Sequence, residues 1–289
     1  MRLTSIAIAA AAATSLSFAP SVRAAESYDG CRYTITSLPA VIGSQGVWCL
    51  KADVNTRIET GAAIMVQANN ATLDCNHFKI GGLSAGSDTK AIGIEADGVN
   101  NFTVRNCNIR GFQTGIRDLD SAGTLVEDNL FEGNRYTAVN MSGTGGMVRN
   151  NRISDTGFWD LAAEAFGIYA EHDTDIVDNV ISGVYASTAG DPMAANGIAT
   201  FLGTGAVTGN RVRFVHSQAN GSSFGIMNVL PEEVVVAGNI VNLGDVADGI
   251  GVNCDLSGEG VVSANIIVGV ANASSVVGCT DSGNTLDPD

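Results

Sequence analysis

Aliphatic residues recur along this chain as spaced pairs around an asparagine. Stretches of the form aliphatic-x-x-Asn-x-apolar run Leu73-x-x-Asn76-x-Phe78, Val126-x-x-Asn129-x-Phe131, Val148-x-x-Asn151-x-Ile153 and Ile176-x-x-Asn179-x-Ile181. They continue with Val207-x-x-Asn210-x-Val212, Val236-x-x-Asn239-x-Val241 and Val262-x-x-Asn265-x-Ile267. Val104-x-x-Cys107-x-Ile109 fits with Cys in the Asn place, and Asp281-x-x-Asn284-x-Leu286 is a decayed last copy. The nine copies are spaced by 31, 22, 22, 28, 31, 29, 26 and 19 residues. A second series interleaves with them: Gly93-Ile94, Gly115-Ile116, Ala138-Val139, Gly167-Ile168, Gly197-Ile198, Gly225-Ile226 and Gly249-Ile250. Val and Ile alternating with polar residues predict short strands with one face inward.

Self-similarity at this period predicts a solenoid. No 3.6-residue stripe supports helical repeats, and the leucine-rich and calcium-binding nonapeptide frames are absent. The pattern predicts an all-β parallel β-helix of about nine coils with three strands per coil, roughly 43 Å long at about 4.8 Å per coil. Each Asn is expected at a turn in the left-handed region, its amide stacked on its equivalents as a ladder.

The ends and the charge refine this picture. Residues 1–24, with Arg2, the apolar run Ile6–Ala13 and Val22-Arg23-Ala24, read as a secretory signal peptide. Residues 25–61 are expected to cap the first coil and residues 62–289 to form the β-helix. No apolar run is long enough to span a membrane. The 289 residues carry 15 Lys and Arg against 30 Asp and Glu, a formal charge of −15. Such a surface argues against nucleic acid as a partner. Six Cys in an exported chain point to disulfides.

The Gly-Ile and Val-x-x-Asn-x-Ile rhythm, together with the leading segment from Cys31 through Val47-Trp-Cys49 to Leu73-Asp-Cys75, resembles the right-handed parallel β-helix, or pectin-lyase-like, superfamily of exported bacterial repeat proteins. The resemblance implies that the outer face of the first, Gly-Ile sheet floors a sugar-binding groove and that the loops leading into that sheet wall it. Four loops take the insertions: 81–90, 157–166, 183–196 and 215–224. The resemblance also implies sequence marks of polygalacturonate hydrolysis, which this chain lacks. The usual lyase base is missing too, since the only Lys are Lys51, Lys79 and Lys90.

The repeat register places Glu95, Arg117, Asn140, Tyr169, Ala199, Met227 and Gly251 in one outward column of the first sheet. Asp97, Leu119, Ser142, Glu171, Phe201, Val229 and Asn253 form the next. Arg117, Asn140 and Tyr169 on successive coils, with His172, suggest β-elimination: Arg and Asn neutralise a carboxylate while Tyr or His moves the proton. Glu95 and Asp97, about 6.7 Å apart along one strand, suggest a glycosidase pair. Glu171, His172 and Asp173 with Asp118 or Asp120 suggest a divalent-cation site. The plain alternative for all three is a solvated acidic face with Arg117 paired to stacked carboxylates. Trp159 is a candidate sugar platform or a hydrophobic cover with Phe158 and Phe166. His216 is expected on a loop. The same register suggests the disulfides Cys31–Cys49, Cys75–Cys107 and Cys254–Cys279, stapling both ends. No dedicated metal site or cofactor is indicated. An acidic floor repels a polyanionic substrate unless Ca²⁺ bridges the two.

Two functions follow as expectations. One is an exported protein that binds or processes a polysaccharide over the first sheet, a lyase rather than a hydrolase if it is an enzyme. The other is a non-catalytic exported scaffold or adhesion protein.

Overall fold

The structure, a computed structural model, describes residues 30–158, 164–187, 194–203, 205–218, 221–230, 234–246, 249–255, 260–270 and 276–286. The expected signal peptide and Trp159 lie outside the described residues. The chain winds into a β-solenoid with three parallel sheets of 11, 10 and 10 strands and no α-helix among the described residues. Each complete coil gives one strand to each sheet. The nine copies of the Asn pattern correspond to nine successive strands of the 11-stranded sheet, from Ala71–Asp74 to Thr280–Ser282. Of the segment expected to cap the first coil, residues 30–61 carry strands that pair into the sheets. Tyr33–Ile35 pairs with Gly46–Leu50 in the 11-stranded sheet, and Ala40–Ile42 pairs with Thr60–Val66 in the first sheet.

The core is a set of aliphatic files along the axis. In the first sheet Ile64, Ile94, Ile116, Val139, Ile168, Ile198, Ile226 and Val252 are in register and buried. Leu73, Val104, Val126, Val148, Ile176, Val207, Val236 and Val262 form the equivalent file of the 11-stranded sheet. Each such side chain contributes about 1.5–3 kcal/mol by leaving water. The Gly before the inward residue leaves room for the neighbouring coil. A Cβ at Gly197 would lie 2.3 Å from Val212 Cγ1 and 2.6 Å from the Gly225 carbonyl.

One step of the Gly-Ile series falls two residues later than the repeat suggests. Ile226 is in register with Val252, and Phe224 with Ile250. Gly251-Val252 is therefore the structural equivalent, and Gly249-Ile250 only mimics the signature. The register partners of Met227 and Val229 are Asn253 and Asp255, in place of Gly251 and Asn253.

The ladder is continuous from Asn129 to Asn284. Asn129, Asn151, Asn179, Asn210, Asn239 and Asn265 each donate from Nδ2 to the next Oδ1 at 2.8–3.1 Å. The same Oδ1 atoms accept backbone N–H groups, as in Asn151 N to Asn179 Oδ1 at 3.0 Å. These six amides are almost wholly buried, and buried amides persist only when paired. The left-handed conformation falls on the residue before each ladder position: Asn106, Asp128, Asn150, Asp178, Gly209, Gly238, Ala264 and Gly283 have φ of 54–70°. The ladder Asn itself stays outside the left-handed region. Asn76 stands outside the ladder and donates to the Leu50 carbonyl. Ile80, not Phe78, is the partner of Ile109, so the Cys75–Phe78 turn is two residues longer than its successors.

The three disulfides are Cys31–Cys49, Cys75–Cys107 and Cys254–Cys279. Cys107 takes a ladder slot, with its N–H donating to Asn129 Oδ1 at 2.9 Å. The Cys75–Cys107 bridge thus continues the ladder line by covalent means where the amides stop.

Candidate functional site

The outer face of the first sheet is where the repetition ends. Neighbouring coils there carry Glu95, Arg117, Asn140, Tyr169, Ala199 and Met227 in register. No two successive positions are alike, although the backbone beneath is regular. From Glu95 to Met227 the file passes from an ion pair, through polar and aromatic groups, to apolar Ala199 and Met227.

Arg117 is drawn toward Glu95 of the preceding coil, with its Nε and a terminal nitrogen both donating to one Glu95 oxygen. The Glu95 side chain is nearly buried and the Arg117 side chain about one-third exposed. This pair is the plain alternative raised by the sequence. It occupies the guanidinium with protein and separates Glu95 from Asp97, which is exposed at the strand end. Arg117 is in register with Asn140 but does not line the cleft formed beyond it.

That cleft, of about 340 Å³, is lined by Tyr136, Thr137, Asn140, Ser142, Glu164, Phe166, Tyr169 and Glu171. Two adjacent coils build it. Strands Thr137–Thr144 and Ala165–Glu171 supply the floor, and the residues just before each strand, Tyr136 and Glu164, supply a wall. Phe166 meets Tyr136 edge to face at 5.6 Å and Tyr169 at 5.3 Å. The Tyr169 hydroxyl donates to Glu171 Oε1 at 2.8 Å, and Ser142 Oγ donates to Asn140 Oδ1 at 3.3 Å.

The electrostatics of the cleft make its phenols donors. Burial pushes the Tyr169 hydroxyl well above the usual phenol range, and the bond to Glu171 and the charges of Glu171, Tyr136 and Glu164 add to it. Tyr136 moves the same way, by burial and then by the charge of Glu164. Both hydroxyls therefore keep their protons at neutral pH and serve as hydrogen-bond donors; a tyrosinate base is disfavoured. Burial also raises the Glu164 carboxyl.

The remaining sequence candidates are scattered. His172 is exposed at the corner after Ala165–Glu171, with φ 56°, and is not among the groups lining the cleft. Asp173 is exposed beside it. Asp118 points into the solenoid, 1% exposed, because it follows the outward Arg117 in the strand alternation. It is thereby separated from Glu171 on the outer face. Among the described residues no three His, Cys, Asp or Glu side chains gather as a metal site. Phe158 and Phe166 go to different faces: Phe158 stacks on Tyr185 at 4.6 Å, while Phe166 belongs to the cleft. Sequence reasoning missed Tyr136 and Glu164. Glu164 lies in an insertion loop flagged from the repeat, which is the signal that would have found it. Tyr136 had no such flag.

A right-handed beta helix region model matches residues 55–287. The chain belongs to the right-handed β-helix family. Among solved structures, the Azotobacter vinelandii mannuronan C-5 epimerase AlgE6 A-module is similar over 89% of this chain and 89% of its own, at 12% identity and a TM-score of 0.53. The enzymatically active domain of bacteriophage CBA120 tailspike protein 2 is similar over 90% of this chain and 42% of its own, at 12% identity and a TM-score of 0.52. At these identities the likeness is one of fold. A comparison with curated proteins finds no match.

Proposed function

We propose that this β-helix protein is exported and binds or processes a polysaccharide in the first-sheet cleft. The observation that carries the reading is the cleft itself: phenols, an amide, a hydroxyl and carboxylates converge at the place where a regular scaffold stops repeating. Polar donors and acceptors beside aromatic rings suit a sugar, whose ring has an apolar face and a hydroxyl rim. Glu164 and Glu171 leave the floor acidic, and Arg117 is already paired, so a neutral glycan suits the cleft better than a polyuronate. A mannuronan epimerase module shares the fold, which makes a glycan ligand a natural reading without specifying it.

Three disulfides suit an oxidising compartment, in keeping with removal of residues 1–24 on export. Among the described residues no helix is long and apolar enough to cross a membrane. If the protein is catalytic, proton donation falls to Glu164, whose carboxyl is shifted upward, with Glu171, which accepts from the Tyr169 hydroxyl, as its partner in the cleft.

A glycan array with the mature protein, with and without Ca²⁺, followed by product analysis on each hit, tests this. Binding to a neutral glycan is expected, and loss of a product with Glu164→Gln would assign the acid. Absence of binding to every glycan would remove this function and leave the scaffold or adhesion reading.

A further inference from the structure

The third sheet carries a second surface of different chemistry. Beyond residue 149 the chain has only three cationic side chains other than His, Arg152, Arg211 and Arg213, against 17 Asp and Glu. All three lie in strands of this one sheet. Arg152, Val180 and Arg211 share one file on successive coils, which sets the two arginines about 10 Å apart. Arg213 is two residues along the same strand as Arg211 and faces the same way. None of the three forms an ion pair among the described residues; the five pairs there involve other cations. Arg213 Nε is buried without a hydrogen-bond partner. In so acidic a chain, this grouping of uncompensated guanidiniums is a local reversal of the field.

Aromatic rings lie along the same sheet edge, one of them against an arginine. Phe158 and Tyr185 stack at 4.6 Å, and Phe158 is 46% exposed. Phe214 is 51% exposed, has φ 54°, and lies under the Arg213 guanidinium at 6.0 Å. The left-handed bend recurs in the preceding coils at Asp155 and Gly183, and Phe214 carries a bulky, exposed ring there. His216, expected on a loop, is in strand Arg211–Ser217, exposed and in register with Tyr185. Two carboxylates border this face: Asp155, near Gly183, and Asp128, which lines a cleft together with Arg152.

We infer that this face, from Arg152 to Phe214, is a second glycan-binding surface, and that it takes an anionic polysaccharide. Sugar rings lie on Tyr185 and Phe214 while their carboxylate or sulfate groups pair with Arg211 and Arg213. A guanidinium receives such groups bidentately. The inference is independent of the first-sheet cleft, which lies on another face of the solenoid. It gives an acidic protein a way to hold a charged polymer that its other groove repels.

Affinity electrophoresis of the full mature chain tests it. The gels contain polygalacturonate, dextran sulfate, uncharged dextran or poly-glutamate, and are run at low and raised salt. Retardation by polygalacturonate or dextran sulfate, weakened by salt, is expected, with little by dextran or poly-glutamate. The two anionic arms distinguish carboxylate from sulfate recognition. Arg211→Gln with Arg213→Gln is expected to raise the dissociation constant at least tenfold, and Phe214→Ala several-fold. Phe214→Tyr should retain binding, and Tyr169→Ala in the first-sheet cleft should leave it unchanged. Melting temperatures check that each variant is folded. The inference is overturned by no retardation in either anionic gel, by equal retardation in dextran or poly-glutamate, or by folded arginine variants that bind like the wild type.

Discussion

The ladder corner and the first-sheet cleft share the same coil-to-coil spacing and use it in opposite ways. At the corner, identical asparagines stack from Asn129 to Asn284, and each amide satisfies its neighbour. Over the first sheet, equally spaced positions carry Glu95, Arg117, Asn140 and Tyr169. The corner is buried and must close its hydrogen bonds internally; the face meets water and is free to vary. In a stacked fold, repetition marks what holds the coils together, and a break in repetition on a solvated face marks where a ligand can be recognised.

The largest expected effect strikes the ladder. Asn179→Ala leaves the Asn151 backbone N–H and its Nδ2 without their shared acceptor. Two buried donors at about 1–3 kcal/mol each predict a loss of about 3–5 kcal/mol in urea unfolding. The matching change on the solvated face, Asn140→Ala, should stay within about 0.5 kcal/mol. Equal losses at the two positions would erase the distinction.

The next test is the inward position beside Arg117. Asp118 is buried, and its Oδ1 has no partner. Burial raises its carboxyl above the usual range, with the charges of Asp120 and Asp97 adding and the Ser121 and Thr124 hydroxyls pulling the other way. The native state therefore holds this proton to higher pH than the unfolded chain does. Stability from the group is complete below the unfolded pKa and is lost as pH rises through the folded one. Asp118→Asn should flatten that decline and raise stability at neutral pH by about 1–3 kcal/mol. Thermal melts across the acidic to neutral range read both effects, and an unchanged pH profile would place the titration elsewhere.

The smallest expected effect is at the ladder turn. Ala264 holds a left-handed position that Gly occupies in three other coils. Ala264→Gly should stabilise by about 1 kcal/mol, seen as a higher melting temperature.

What could be read from sequence follows the same division. Inward Val and Ile and the ladder Asn are imposed by stacking on every coil, so they recur and are visible as period. The disulfide pairing was legible for the same reason, since each bridge joins neighbouring places in the register. Gly249-Ile250 misled because the local pair is the same, and only pairing with Ile226 shows that Gly251-Val252 is the equivalent. The left-handed residue was displaced by one because Asn is itself a common left-handed residue, while here the turn falls on the residue before it. Arg117 and Tyr169 were placed on the correct face by alternation. The Arg117–Glu95 pair and the convergence of Tyr136 and Glu164 depend on side-chain reach and on loops without period, which a repeat cannot specify.

The central claim is that the break in repetition over the first sheet is a glycan-binding cleft. Its most direct test is calorimetric titration of the best neutral oligosaccharide from the array into the wild type and into Tyr169→Ala. The account predicts a dissociation constant at least tenfold weaker in the variant, with a melting temperature within a few degrees of the wild type. Equal affinity in a folded Tyr169→Ala protein would contradict it.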